Sequence, residues 1–361
     1  MPFSRRQVRP VRVGSVLLAQ DQPVAVQAMT KTPTGDVEKT LAQIERLVAA
    51  GARIVRLAVP DKASVRAFAD IRRRVSVPDP VGLVADIHFD HRLALAAIDA
   101  GADKVRLNPG NLRDPGKFTL VVQAAAKAGV AIRIGLNSGS VRRRGEGQGA
   151  SEDARQDVVE LMVERALEAV RLCESLGFRA LVLSLKASDV PATLAAYRRI
   201  APLTDYPRHL GVTATGPGEL AVVKSAIGIG TLLAEGIGDT LRVSLTGPPE
   251  REVEVGYQIL EALRLGRRGG PQIISCPTCG RTQFDLVATV EEVRSRLKDS
   301  KKNITVAIMG CVVNGPGEAT EADVGIAGAK GFGVLFRKGR RPRRVPESRL
   351  VQELLAEIDR L

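Results

Sequence analysis

One unit recurs along most of this 361-residue chain: an amphipathic helical stretch that ends at a glycine, followed within a few residues by a short β-branched or apolar run. Few folds accept such a repeat. In TLAQIERLVAAGARIVRLAV, Leu41, Ile44, Leu47 and Val48 share one helical face, and Gly51 suits the left-handed position after a helix C-terminus. The same punctuation returns at Gly101 before DKVRLN, Gly129 before VAIRIGLN, Gly177 before FRALVLSLK and Gly236 before IGDTLRVSL. With PVAVQAM, VGLVADIHF and RHLGVTAT the count reaches eight strands, near residues 24, 53, 82, 104, 131, 180, 208 and 240. Eight strands alternating with helices fit a (β/α)8 barrel of the TIM type better than an open doubly wound sheet.

The pattern stops at LGRRGGPQ, Leu265 to Gln272, which is rich in Gly and Arg and has no periodicity. The expected division is therefore a barrel over 1–265, a linker over 266–272 and a smaller α+β unit over 273–361. In that unit we expect a helix with Leu286, Val290, Val293 and Leu297 on one face and a strand at ITVAIM. Strands at DVGIAG and GFGVLFR follow, then a final helix with Leu350, Leu354, Ile358 and Leu361 on one face. The basic stretch RKGRRPRRVPE reads first as solvated surface and second as a docking patch for an acidic electron carrier.

No apolar run approaches the roughly 20 residues that span a bilayer, and the start MPFSRRQVRP lacks a signal peptide's apolar stretch, so the expected location is the cytoplasm. Four cysteines in such a chain point to metal binding or catalysis rather than a disulfide framework. The net charge of +13 favours an acidic partner or substrate. With aromatics at 3% and no Trp, the stacking platforms of single-strand nucleic-acid binders are missing, and charge alone speaks for nucleic acid.

Barrels of this type place their chemistry at the C-terminal ends of the strands. Side chains two apart on a strand share a face, which pairs Arg106 with Asn108, Ser184 with Lys186, and Arg242 with Ser244, and sets Arg133 in line with Asn137. Arg56 holds the comparable place in IVRLAV. Each could be a structural ion pair. Against five cations, however, the strand ends offer one clear carboxylate, Asp86 in ADIHF. The expected result is a strongly positive, open mouth suited to a small, multiply charged anion, most simply a diphosphate.

The cysteines form a second group. Cys276 and Cys279 in SCPTCG resemble a zinc-ribbon knuckle, but a ribbon normally brings a second pair and here only Cys311 is near. His88, His91 and His209 all fall in the barrel. Three thiolates leave a position for a different ligand, and Glu318, beyond a Gly-Pro-Gly turn from Cys311, could fill it. Structural zinc and an iron-sulfur cluster both remain open on this pattern, with the cluster favoured. Cys173, inside RALEAVRLCESLG, reads as a buried small hydrophobe.

The motifs VADIHF, KVRLNPGN, RIGLNSGS, SLKASD, HLGVT, GIGDTLRVSLTG, ISCPTCGR and MGCVVNGPGEA, in this order, resemble those of the hydroxymethylbutenyl diphosphate synthase family, iron-sulfur enzymes of the non-mevalonate isoprenoid pathway. The resemblance covers about residues 20 to 340. It implies a TIM-type barrel joined to a small iron-sulfur domain, and a homodimer in which one subunit's cluster domain covers the other's barrel. The implied reaction is the reductive opening and dehydration of methylerythritol cyclodiphosphate, with electrons from flavodoxin or ferredoxin passing through a [4Fe-4S] cluster. By motif, Cys276, Cys279, Cys311 and Glu318 would hold the cluster, and Asn314 would be its neighbour or the substrate's. Arg56, Asp86, His88, Arg106, Asn108, Arg133, Asn137, Lys186, Arg242 and Ser244 would bind the substrate.

One position departs from the pattern where chemistry is expected. The family reads HLGVTEAG and this chain HLGVTATG, so Ala214 replaces a glutamate held to be the proton donor. Losing a general acid commonly costs about 100- to 10,000-fold in rate. Two readings follow: a working synthase with another proton route, or a divergent paralogue that keeps fold and cluster with altered chemistry. Ala28 and Lys31, where the family tends to have Ser and Asn, fall at the first strand end and are expected to alter the mouth as well.

Overall fold

A computed structural model describes residues 4–77, 81–109, 114–141, 152–266, 269–298, 300–313, 317, 319 and 321–361. The chain divides into two compact units, Met1–Arg268 and Gly269–Leu361.

The first unit opens with a hairpin absent from the sequence expectation, β1 (Val11–Val13) paired antiparallel with β2 (Val16–Leu18). Eight parallel strands follow: β3 (Ala25–Met29), β4 (Ile54–Ala58), β5 (Gly82–Asp86), β6 (Lys104–Leu107), β7 (Ala131–Asn137), β8 (Leu181–Lys186), β9 (His209–Leu210) and β10 (Thr240–Leu241). Their order is β8-β7-β6-β5-β4-β3-β10-β9. A parallel bridge between Leu183 and Arg208 joins the two ends, so the eight strands form the expected barrel. The five glycines marked as helix stops, Gly51, Gly101, Gly129, Gly177 and Gly236, all have positive φ. Asp36, Asp61, Asp90, Asp114 and Asp189 each accept a backbone N–H at a helix start, a cap worth about 1 kcal/mol.

Strand alternation separates two interiors. Val26, Ala28, Val55, Leu57, Leu83, Ala85, Val105, Leu107, Ile132 and Ile134 face the surrounding helices and form the main apolar core. Ala28 therefore lies behind the strand, and the expectation that it alters the mouth is corrected. Ala25, Ile54, Val84, Ala131 and Val182 face into the barrel, where they meet Val11, Val13, Val16 and Leu18 of the hairpin. The hairpin thus plugs one end with apolar side chains and leaves the polar end as the mouth.

The second unit is a five-stranded sheet in sequential order: β11 (Gln272–Ser275), β12 (Thr305–Met309), β13 (Val324–Ala329), β14 (Phe332–Arg337) and β15 (Arg343–Pro346). The first three are parallel and the last two antiparallel. Helices Leu286–Leu297 and Leu350–Asp359 cover one face through Leu286, Val293, Leu297, Leu350, Leu354 and Ile358. Leu361 lies beyond the helix and is exposed, contrary to expectation. The basic stretch near the C-terminus is largely exposed, as expected. It contributes β15, whose Val345 is buried, while Arg343 binds Glu353 at 2.6 Å.

Candidate functional site

The barrel mouth is built by the alternation that built the core. Each strand that sends Val105 or Ile132 outward sends Lys104, Arg106 or Arg133 inward. Arg106, Arg133 and Lys186 are buried, and so is Lys104, which the strand-end reading omitted. The expected open mouth is thus refined to a pocket whose cations Arg106, Arg133 and Lys186 are drawn inside the barrel. Arg242 and Ser244 stand just past the end of β10, with the Arg242 N–H still bonded to the Leu210 carbonyl at 3.0 Å.

Asp86 organises one side. Its Oδ1 lies 3.4 Å from Arg106 NH1 and its Oδ2 3.3 Å from His88 Nε2 and 3.9 Å from Arg56 Nε. Arg106 NH1 also approaches His88 Nδ1 at 3.1 Å, and Arg56 directs NH2 at Met29 Sδ at 2.8 Å. Burial raises the affinity of Asp86 for a proton, but the Arg56 charge, the His88 hydrogen bond and the Arg106 and Arg133 charges outweigh it. Asp86 is held well below the usual carboxylate range.

A second carboxylate escaped the sequence reading. Glu252, in the first turn of helix Pro249–Ala262, is 1% exposed and accepts from Arg242 NH2 at 3.0 Å and Arg242 Nε at 3.2 Å. Arg242 NH1 then meets Ser244 Oγ at 2.8 Å. A glutamate there reads in sequence as an ordinary helix-dipole partner, so nothing in the string singled it out.

Beneath these residues lies a polar floor of Gln27, Lys104, Arg133 and His209, all buried. Both amide atoms of Gln27, Lys104 Nζ, Arg133 Nε and NH1, and His209 Nε2 have no hydrogen-bond partner. Burial, followed by the Arg133 and Arg56 charges, pushes the Lys104 ammonium well below its ordinary value. Burial does the same to Lys186, reinforced by Arg133 and Arg242. Two carboxylates, Asp86 and Glu252, face four arginines, Arg56, Arg106, Arg133 and Arg242, and two lysines, Lys104 and Lys186, whose charged form burial disfavours until an anion is bound, so basic groups outnumber acids. Such an excess in a low-dielectric interior calls for an anion. Two glycines make room for the cations themselves, since a Cβ on Gly135 would meet Arg106 Nε at 2.8 Å and one on Gly211 would meet Lys186 Nζ at 2.5 Å.

Asn108 is buried and Asn137 ends β7 beside Lys186, its register partner on β8. Ala214 is exposed, with φ of 51°, on the loop after β9. Its neighbours are anchored to adjacent strand ends. Thr213 N donates to the Ala187 carbonyl at 3.1 Å, and the buried Thr215 hydroxyl donates to the Ser244 carbonyl. Position 214 is therefore on the rim of the mouth.

In the second unit, Cys276 follows β11 and Cys311 follows β12, at the same end of neighbouring parallel strands. Gly310 N donates to Cys276 Sγ at 3.2 Å. Cys279 is exposed in a turn closed by Thr282 N to the Cys279 carbonyl at 3.0 Å and Cys279 N to Thr282 Oγ1 at 3.2 Å. Asn314 and Glu318 lie outside the described residues. Cys173 is fully buried, as expected of a small hydrophobe.

The GcpE TIM-barrel domain matches residues 8–257, and the GcpE protein C-terminal domain matches residues 272–360. The chain belongs to the GcpE family. It is 49% identical to the 4-hydroxy-3-methylbut-2-en-1-yl diphosphate synthase (flavodoxin) of Geobacter sulfurreducens, over 99% of this chain and 98% of that protein. The protein of the same name from Bacillus subtilis is 47% identical, over 98% of this chain and 92% of the relative. Among solved structures, a dihydropteroate synthase from Stenotrophomonas maltophilia superposes with a TM-score of 0.51 at 17% identity, over 71% of this chain and 97% of that one. That likeness concerns the barrel fold alone. The GcpE match spans both the cation-lined barrel and the three-cysteine unit. Among the described residues no helix is long and apolar enough to cross a membrane.

Proposed function

We infer that this chain is a flavodoxin-dependent 4-hydroxy-3-methylbut-2-en-1-yl diphosphate synthase of isoprenoid biosynthesis. It opens and dehydrates 2-C-methyl-D-erythritol 2,4-cyclodiphosphate by two-electron reduction. Counted on neutral forms, two electrons and two protons enter and one water leaves. The observation that carries this reading is the excess of cations over carboxylates inside the barrel of a chain that is GcpE along both units.

Arg56, Arg106, Arg133 and Arg242 offer planar forks that match phosphoryl oxygens, and Lys186 adds a point charge. Ser244, Asn108, Asn137 and His88 supply hydrogen bonds that orient the substrate, and Asp86 keeps His88, Arg106 and Arg56 aimed. Burial strengthens the interactions of Arg106, Arg133, Lys186 and Asn108 by excluding water.

Cys276, Cys279 and Cys311 are proposed to hold a [4Fe-4S] cluster, with Glu318 as fourth ligand and Asn314 beside it. The soft sulfur donors suit iron and sulfide, and Cys276 and Cys311 follow neighbouring parallel strands at the same sheet end, with the Gly310 N–H donating to Cys276 Sγ. When bound, the cluster supplies the electrons one at a time. We further propose a cytoplasmic homodimer. Leu220, Val223 and Ile227, exposed at helical spacing along Gly218–Ala234, form an apolar stripe that a second copy would cover.

Ala214 alone speaks for a chain that has left this chemistry. The test is anaerobic turnover of the cyclic diphosphate with reduced flavodoxin, wild type beside Ala214→Glu, after assay of iron and acid-labile sulfide. Turnover by wild type at a rate comparable with the variant is expected. Turnover by the variant alone would overturn the synthase reading, and zinc without sulfide would overturn the cluster.

A further inference from the structure

The strand-end cations do not all meet the mouth in the same way, and Lys31 is the exception. It follows β3 in the loop leading to helix Val37–Ala49. Its Nζ donates to the Leu245 carbonyl at 2.9 Å and to the Gly247 carbonyl, and lies 3.1 Å from Glu252 Oε1. An ammonium has three N–H groups, so all of its donors are used. Lys31 is therefore not a cation waiting for a ligand.

Its acceptors show what it does instead. Glu252 Oε1 also takes the Leu245 N–H at 3.0 Å and Arg242 NH2 at 3.2 Å, while Oε2 takes Arg242 Nε. Both edges of Glu252 are thereby assigned, and Arg242 is left with NH1 turned to Ser244 Oγ. On the other side, Gln43 Oε1 receives Lys31 N at 2.6 Å and Thr32 N at 3.2 Å, which fixes the main chain that carries the ammonium. Gln43, Lys31, Glu252, Arg242 and Ser244 thus form one continuous set of contacts. It crosses the seam where the first and last barrel strands pair, Ala25 beside Thr240.

We propose that Lys31 and Glu252 are a positioning clasp for the diphosphate site, locking the segment after β10 so that Arg242 and Ser244 present one aimed edge to a phosphoryl group. The proposal rests on the functional reading above. Electrostatics acts in the same direction as geometry: Lys31, Arg242 and Glu252 together carry one net positive charge, and without Lys31 they carry none. Loss of Lys31 therefore weakens attraction for a dianion while loosening the segment that aims the fork.

The test is calorimetric binding of 2-C-methyl-D-erythritol 2,4-cyclodiphosphate to the cluster-loaded full chain, with steady-state kinetics beside it, for wild type, Lys31→Met and Lys31→Arg. Lys31→Met is expected to raise Kd and KM together by about five- to tenfold, with kcat within about twofold. Lys31→Arg, which restores the charge, should recover part of that loss. A Lys31→Met protein with Kd and KM within about twofold of wild type, whatever its melting temperature, would make Lys31 a structural staple and overturn the proposal. Wild type that binds no cyclic diphosphate takes down the functional reading instead, and the clasp's ligand with it.

Discussion

Arg106 NH1 stands 3.4 Å from Asp86 Oδ1 with both side chains about as buried as core leucines, so this pair keeps its charges away from water. Removing one partner of a buried pair typically costs about 3 to 5 kcal/mol, and Asp86→Asn should lose on that order near neutral pH. The sign with pH follows from the direction of the shift. Asp86 binds its proton less readily folded than unfolded, so its contribution is fully present above the unfolded value of about 3.9 and fades as pH falls below it. Thermal unfolding of both proteins from neutral pH downward should show their difference narrowing only in that acid range.

Lys104 should behave in the opposite sense. Burial, followed by the Arg133 and Arg56 charges, favours its neutral form in the fold, while the unfolded chain keeps it charged up to about pH 10.4. The unfolded state then binds the extra proton, and stability rises with pH through that window. Lys104→Met is expected to stabilise the ligand-free protein near neutrality, with the gain shrinking as pH approaches about 10. Denaturant unfolding at several pH values checks this.

Gly211 should tolerate no side chain. A Cβ there would lie 2.5 Å from Lys186 Nζ and 2.7 Å from the Arg242 carbonyl, and the second is backbone that cannot swing away. Gly211→Ala should lose about 1 to 3 kcal/mol, and the displaced Lys186 should raise KM by about tenfold or more. Chemical denaturation and substrate titration read the two effects separately.

The thiols should sort into two classes. Burial pushes the Cys173 thiol up to about 12, so alkylation of the reduced, metal-free protein should spare it until the chain unfolds. Cys279, exposed in its turn, should react first. Substituting Ser for Cys276, Cys279 or Cys311 should abolish stable iron loading, and Cys173→Ser should retain it, as measured by iron and sulfide content.

Much of the site was legible because β-structure has a period of two. Once KVRLN and RIGLN read as strands, Arg106, Asn108, Arg133 and Asn137 had to share the face opposite Val105 and Ile132. The same rule extends to Lys104, two residues before Arg106, and applying it one step earlier would have found the polar floor. The same alternation removes Ala28 from the mouth: Val26 and Ala28 face the helices, while Ala25 and Gln27 face the barrel. The hairpin at Val11–Leu18 and strand β15 were missed because very short strands carry too little pattern to stand out from loops or charged surface.

From the sequence by itself came the eightfold repeat, the glycine stops, the row of cations on shared strand faces and the spacing of the second unit's three cysteines, because each depends on local periodicity or on residue type. The tertiary structure alone decided that the cations sit inside rather than on the rim, and that Glu252 serves Arg242. It also decided that Lys31 spends its charge on Glu252 and on backbone carbonyls. The contacts of Lys31 depend on barrel closure, which brings β3 beside β10 and sets residues more than two hundred positions apart within hydrogen-bond reach. No local pattern encodes that distance.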